Sequence, residues 1–334
     1  MGDMDLTRRG VLAGGAAVFC TGLPARAQSD RWAGVVDRAS GLDQLHAIAI
    51  AVDGSREVEA RFRGPSLGTP VNVKSVSKTI VSALLGAAID RGEIALDTTI
   101  AEAAPGLIPS AADPRVADLT MEDLVSLRAG LERTSGGNYG QWIASRDWVA
   151  DALSRPMVAE PGGQMLYSTG STHVLGAVLA EVSGMSLLDQ ARGRLGAPLG
   201  VEIPPWTRDP QGRYMGGNQM AMTLTGMLRF GEMYRQEGRW DGAQVVPADW
   251  VSRSWDARGR SPFSGMGYGL GWFVGRSNGH RYALARGYGG QVIFVVPSLA
   301  MTAAITSDPN RPARSEGYFG TLMSLLEQSV AVLS

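Results

Sequence analysis

The sequence predicts an α+β fold: one antiparallel sheet built from both chain ends, flanked by helices and interrupted by a large, mostly helical insertion. Three observations predict it. Residues 46–63 form two strand-like runs around Asp53-Gly54, the strand period returns only after Ser261, and the stretch 96–255 keeps helical spacing punctuated by capping residues. Sequentially adjacent strands tend to pair, so strands at both ends are expected to share one sheet. Residues 28–334 are then a single domain, with an α/β part at 28–95 and 256–334 and a helical part at 96–255. A cleft between the two parts is the natural place for a ligand.

Residues 1–27 are set apart as an address. Thr7-Arg8-Arg9-Gly10-Val11-Leu12 opens an apolar run to Leu23, followed by the small-x-small pattern Ala25-Arg26-Ala27, which reads as a twin-arginine export signal. The run is shorter than the roughly 20 residues a spanning helix needs. The mature chain is therefore expected to be periplasmic or secreted, with no stable membrane anchor.

The remaining elements follow in order. A helix is expected over 30–45, then a hairpin of 46–52 and 58–63 turning at Asp53-Gly54. Val76, Ile80, Val81, Leu84, Leu85 and Ile89 mark a buried helix over 75–91, with Gly92 just past its end. Inside the insertion, helices are expected to start at Thr120, Ser145, Ser171, Ser186, Thr223 and Pro247. Strands follow over 268–274, 281–285, 291–296 and 301–306, with a turn at Pro297-Ser298, and a last helix covers 316–332.

Composition removes several function classes. Of 334 residues, 31 are Lys or Arg and 32 Asp or Glu, for a net charge of -1, so the chain lacks the positive field a nucleic-acid partner needs. Hydrophobic content of 44% and charged content of 19% fit a folded globule. The single cysteine, Cys20, sits in the export segment and permits neither a disulfide framework nor a cysteine metal site. His46, His173 and His280 lack metal-ligand spacing, and no phosphate-binding or dinucleotide fingerprint follows a strand, so no metal and no cofactor are expected. Gly64-Pro65-Ser66-Leu67-Gly68 and Gly275-Arg276-Ser277-Asn278-Gly279 match G-x-S-x-G, but neither has the strand-to-helix setting of a nucleophile elbow.

The lysines carry the first chemical signal. Only two of the basic residues are lysine, Lys74 and Lys78, and both stand beside Ser75. Arginine stays charged at accessible pH, whereas a desolvated lysine can lose its proton and act as a base. Ser75 and Lys78 are three apart at a helix start, so their side chains share a face. Burial and the positive end of the helix both lower a lysine pKa, which makes an activated serine nucleophile feasible. The plainer alternative is a capping serine followed by a lysine on a solvated face. Lys74 is expected to be an exposed or packing residue.

Ser75-Val76-Ser77-Lys78, after a hairpin and opening a buried helix, resembles the first motif of the penicillin-recognising serine hydrolases: serine β-lactamases, D-alanyl-D-alanine peptidases and related esterases and amidases. Tyr167-Ser168-Thr169 is similar to the Tyr-x-Asn second motif of class C β-lactamases. Arg286-Gly287-Tyr288-Gly289-Gly290-Gln291 sits where the family carries Lys-Thr-Gly or His-x-Gly. The resemblance spans nearly all of the mature chain and implies the β-lactamase/transpeptidase-like version of the predicted fold. It implies Ser75 as nucleophile, Lys78 and Tyr167 sharing the proton transfers, and an oxyanion hole from the backbone N–H groups of Ser75 and Gln291. For Tyr167 to act as a base its pKa must fall, with Lys78 the obvious source of positive charge. Gly289 and Gly290 would let backbone approach substrate closely, with a plain hairpin turn as the other reading.

The departures bear on substrate. Thr169 replaces an asparagine that holds a substrate amide in many relatives, and Tyr288 stands in place of a cation that grips a β-lactam carboxylate, leaving Arg286 nearest. The chain thus looks more like relatives acting on carboxylic esters or on simple amides such as aminohexanoate oligomers than like a β-lactamase or D-amino-acid peptidase. Thr169, Tyr288, Gly289 and Gly290 are the expected substrate contacts, with Tyr139 and Trp142 from the Gly136–Trp142 loop, and the stretch 216–220 approaching the same cleft. The partner is then a small-molecule ester or amide. A non-catalytic ligand-binding protein on the same fold is the alternative of another class.

Overall fold

The computed structural model describes Met1 and residues 31–334, so the proposed export segment and Cys20 lie outside the described residues. The described residues open with helix α1 (Ala33–Ser40), shorter than expected because Gly41 ends it and Leu45 already begins a strand. Strands β1 (Leu45–Val52) and β2 (Ser55–Arg61) form the expected hairpin, with Asp53 and Gly54 both at positive φ in the turn. Helix α2 (Val76–Asp90) follows, ending before Gly92 at φ +68°.

The middle of the chain is helical, as expected, with α3 (Thr169–Ser183) and α4 (Leu224–Arg235) its longest helices. Thr120 caps its helix through a capping box with Asp123, and Ser186 and Thr223 cap theirs. Two starts differ. Asp147, not Ser145, caps Trp148–Leu153, and α3 begins at Thr169 rather than Ser171, which puts Tyr167 at a helix entrance.

Strands resume as β3 (Gly259–Arg260), β4 (Gly267–Tyr268), β5 (Phe273–Ser277), β6 (His280–Gly287), β7 (Gln291–Val296) and β8 (Met301–Ser307), and helix α5 (Tyr318–Ala331) closes the chain. The expected strand over 268–274 is broken in two. Gly271 has φ +81°, and a Cβ there would lie 2.6 Å from Ser82 Cβ, so the backbone turns out of the sheet to pass close to α2. The eight strands run β2-β1-β8-β7-β6-β5-β4-β3, with antiparallel neighbours throughout. Both chain ends thus supply one sheet.

The sheet is buried on both faces, and the residue types on each show why. Ile48 and Ile50 of β1 join Phe294, Ile305, Phe319 and Leu322 in the core beneath the terminal helices. Their alternates Ala47, Ala49 and Ala51 face the helical part with Ile293, Val295 and Ala304. Small side chains on that face admit α4 at short range. At Gly231 a Cβ would meet Thr302 Cγ2 at 2.6 Å and Ile293 Cγ2 at 2.7 Å, so a methyl group would push the helix off the sheet. Helix α2 lies between sheet and helical part and is buried continuously from Val76 to Ala88. Ser75 therefore stands at the junction of the two.

Candidate active site

Local bonding turns the chain sharply into α2. Val71–Asn72 pairs with Ala221–Met222, the Val73 N–H donates to the Met220 carbonyl at 2.9 Å, and the Lys74 N–H donates to Asn72 Oδ1 at 2.8 Å. Ser77 Oγ donates to the Lys74 carbonyl at 2.6 Å and accepts from the Met220 N–H at 3.2 Å. These bonds hold Lys74 at φ +51°, a left-handed conformation that side chains disfavour. Ser75 follows at the N-cap position but makes no capping bond, which sets aside the plain capping serine. Its hydroxyl faces Lys78, and its N–H has no partner among the described residues.

Lys78 is 2% exposed, so the solvated-face alternative fails as well. Its Nζ lies 3.1 Å from Ser75 Oγ, 3.1 Å from Thr169 Oγ1 and 2.7 Å from the Gly217 carbonyl. Among the described residues no carboxylate faces it, and desolvation lowers its pKa from 10.5 to about 7. A neutral amine has two N–H donors and one lone pair. With the donors on Gly217 and Thr169, the lone pair is left for the Ser75 proton, the arrangement general-base activation needs.

Thr169, expected to touch substrate, is buried and engaged otherwise. Its Oγ1 contacts Lys78 and Ser135 Oγ, the latter at 2.9 Å, and its N–H donates to Ser135 Oγ at 2.9 Å. Ser135 was not singled out from sequence because nothing local marks it. Gly217, at φ +92°, belongs to the stretch expected near the cleft, and a Cβ there would crowd Thr172 at 2.8 Å and Lys78 Cγ at 3.2 Å.

Tyr167 stands across from Ser75, stacked on Phe273 with ring centroids 6.2 Å apart, and Lys78 Nζ lies 4.9 Å from its ring centroid. Its pKa moves opposite to the expectation. Burial raises it, and the Ser75 hydroxyl and the Arg286 charge offset this only in part. The opposing charge comes from Arg286, not from Lys78. Tyr167 is thus a phenol at neutral pH, with a proton to give.

The third segment differs most from expectation. Gln291 is 0% exposed, lies within β7 paired with Gly287, and binds the Ser307 backbone through its side chain. A residue without accessible surface cannot present its N–H to a substrate carbonyl, so the oxyanion assignment to Gln291 is corrected. The approach to the Ser75 segment is made by Gly287, where a Cβ would lie 2.3 Å from the Val73 carbonyl and 3.1 Å from Lys74 Cβ. The next residue, Tyr288, is 53% exposed, and its N–H has no partner among the described residues.

Gly289 and Gly290 are also corrected. Both are buried at positive φ, and a Cβ would strike the Asp308 carbonyl at 2.4 Å and the Tyr318 ring at 2.6 Å. They serve the hairpin and its packing on the C-terminal segment, away from substrate. The Arg286 guanidinium covers the Phe319 ring at 3.5 Å and donates to Ala313 O and Ser315 Oγ, so it turns toward the terminal helix.

Of the two aromatic residues expected on the cleft wall, Tyr139 is partly exposed and its hydroxyl accepts from Asn218 Nδ2 at 3.0 Å, next to Gly217. Trp142 is 0% exposed, donates its indole N–H to the Trp148 carbonyl and packs against Tyr139, Trp148 and His173. It is a core residue and cannot touch substrate. Beyond the wall, Phe263 is 58% exposed with the Arg133 guanidinium 5.1 Å over its ring. No histidine touches Ser75: His173 is buried against Asp209, and His280 meets Ser298 at 2.8 Å on the surface. Surface hollows of about 410 and 560 Å³ lie over the start of β6 and the end of β5; neither is lined by Ser75, Lys78 or Tyr167.

Comparison with known proteins bears on the same segment of chain. The model of the family described as Beta-lactamase matches residues 42–322. Among solved structures, the chain is similar to a Bacillus anthracis protein described as a 6-aminohexanoate-dimer hydrolase, at 18% identity and TM-score 0.74, covering 87% of this chain and 81% of that one. It is also similar to EstCE1, described as a hydrolase with promiscuous acyltransferase activity, at 19% identity and TM-score 0.74 over 93% and 99% of the two chains. A beta-lactamase from Mycobacterium bovis matches at 17% identity and TM-score 0.66, over 89% and 98%.

Proposed function

The chain belongs to the beta-lactamase family, whose fold carries hydrolases, and from that premise we propose that it is a serine hydrolase cleaving a carboxylic ester or simple amide through an acyl-enzyme. The observation that carries the reading is the dry amine of Lys78 hydrogen-bonded to Ser75 Oγ. Neutral Lys78 takes the hydroxyl proton as Ser75 Oγ bonds to the acyl carbonyl carbon. The developing oxyanion is received by the free N–H groups of Ser75 and Tyr288, a type of donor often worth about 3–4 kcal/mol each. The Tyr167 phenol protonates the leaving alcohol or amine and regains its proton from the lysine ammonium. Water then repeats the steps on the ester of Ser75, releasing the acid.

Ester or amide is favoured over β-lactam because Arg286, the cation nearest in sequence to the third segment, is held over Phe319. One observation favours the β-lactam or D-peptide reading: Lys74, half-buried beside the nucleophile, has a side chain without an acid partner among the described residues. Export by the segment 1–27 is proposed with the function, on the twin-arginine pattern alone.

A fluorophosphonate and a nitrophenyl ester test the central claim. The intact protein should take up one equivalent of label on the Ser75 peptide and hydrolyse the ester, with chromogenic cephalosporin turned over more slowly. Labelling that survives Ser75→Ala unchanged sinks the assignment, and a lactam rate above the ester rate moves the reading to β-lactamase.

A further inference from the structure

His173 and Asp209 form a fully buried pair that has no part in the steps just given. His173 lies one turn beyond Thr169 on α3, so the helix that brings the Thr169 hydroxyl to Lys78 brings the imidazole to the loop behind it. Its Nδ1 accepts from the Gly216 N–H at 3.2 Å, and its Nε2 lies 3.2 Å from Asp209 Oδ2. The two contacts together assign the ring proton to Nε2, donated to the carboxylate. Asp209 is held in turn by the Arg213 N–H on Oδ1 at 2.7 Å, with the Arg213 guanidinium 3.8 Å from Oδ2. Trp142 and Trp148 lie against the imidazole, with centroids 5.8 and 5.7 Å away.

The residue after Gly216 is Gly217, whose carbonyl makes the shortest contact of Lys78 Nζ, at 2.7 Å. The loop has little freedom to find this place by packing alone. A Cβ on Gly216 would lie 2.3 Å from the Thr172 carbonyl, so the backbone passes directly over the first turn of α3. The imidazole is the side chain that ties the loop to the helix at this crossing.

We propose that His173, oriented by Asp209, is a positioning residue for the lysine base: it fixes Gly216–Gly217 so that the Gly217 carbonyl holds one Lys78 N–H and the lone pair faces Ser75. This rests on the reading of Lys78 as base. The charged and titratable groups around the device are Asp209 and Arg213 behind the imidazole and Lys78, with Tyr167, across Gly217. When the loop loosens, the lysine loses its carbonyl acceptor and water reaches a dry amine.

Two amide variants separate positioning from mere stability, since each keeps one of the two imidazole contacts. In His173→Asn the amide oxygen overlies Nδ1 and still accepts from Gly216; in His173→Gln the amide nitrogen overlies Nε2 and reaches only Asp209. On a nitrophenyl ester, His173→Asn should keep kcat within about threefold of wild type, with the acidic limb of kcat/KM in place. His173→Gln should lose about 10- to 100-fold in kcat with KM little changed, and its limb should move up by about one pH unit. Equal behaviour of the two variants on a normal wild-type limb overturns the proposal while leaving the lysine base intact. A wild type without a limb near pH 7 overturns the lysine reading itself and the proposal with it.

Discussion

The two halves of the site are built differently. Around Lys78, the hydroxyls of Ser75, Thr169 and Ser135 and the Gly217 carbonyl close a network in which the lysine is 2% exposed. Around the opening, Tyr288 is more than half exposed and Tyr139 is partly open. The buried half is over-determined, with close contacts at Gly217 and Gly287 that admit no Cβ without displacement. The difference teaches where each property resides. Low dielectric shifts a pKa only where water is excluded, so the proton chemistry belongs to the dry half. In the proposed reaction, choice of acyl group is left to the wet half.

The strongest way to break this contrast is to remove the amine. Lys78→Met, of similar length and apolar, should lower kcat/KM on any ester by about 100- to 10,000-fold. Wild-type activity should rise as pH passes about 7, because below that the amine is a protonated ammonium without a lone pair. Stability carries a linked sign. The lysine pKa is about 7 folded against 10.5 for an ordinary lysine, so the unfolded chain binds more protons between those values and wild-type stability rises with pH across that window. Melting curves should therefore favour the methionine variant increasingly as pH falls from about 10 toward 7, levelling off below. A pH-independent difference would show that the amine is not dry.

Next in size is the phenol. With its pKa raised by burial, Tyr167 holds its proton through neutral pH, which is what the proposed role as donor to the leaving group requires. Tyr167→Phe should cost about 100-fold on a linear amide, whose amine leaves only when protonated, and about tenfold or less on a nitrophenyl ester, whose phenolate leaves unaided. Equal losses on both would mean that Tyr167 works on Ser75 instead. A difference titration of wild type against Tyr167→Phe should place the Tyr167 phenolate above the ordinary tyrosine range.

What was legible in the sequence divides along physical lines. The sheet from both ends was readable because period-2 patterning and an Asp-Gly turn are local signals, and Ser75 with Lys78 because an i, i+3 pair on one helix is local too. Thr169 and Gly217 meet Lys78 from 91 and 139 residues away in the chain, Ser135 joins only through Thr169, and nothing in a short window announces such contacts. Trp142 and Gln291 were placed on the cleft because their segments border it. Which face of a five-residue helix or of a doubly buried strand is turned inward depends on neighbours that only the fold supplies. The break in the strand expected over 268–274 belongs to the same class: it follows from the nearness of Ser82 to Gly271, a contact across 189 residues that no local pattern shows.

The smallest expected effect lies at the opening, and it tests the contrast from the other side. Tyr288→Ala removes an exposed ring but leaves the backbone N–H proposed for the oxyanion, so the chemistry should be nearly untouched. For an acetyl ester, kcat should stay within about threefold of wild type, since no group in the transition state is lost. For an acyl chain long enough to lie along the ring, KM should rise several-fold, in keeping with the roughly 25 cal/mol per Å² of apolar surface left in water. A large fall in kcat for both esters would mean that the side chain holds the turn in place and that the wet half also governs catalysis. Unchanged constants for both would move acyl selection to Tyr139, which is partly open and bonded to Asn218 next to Gly217.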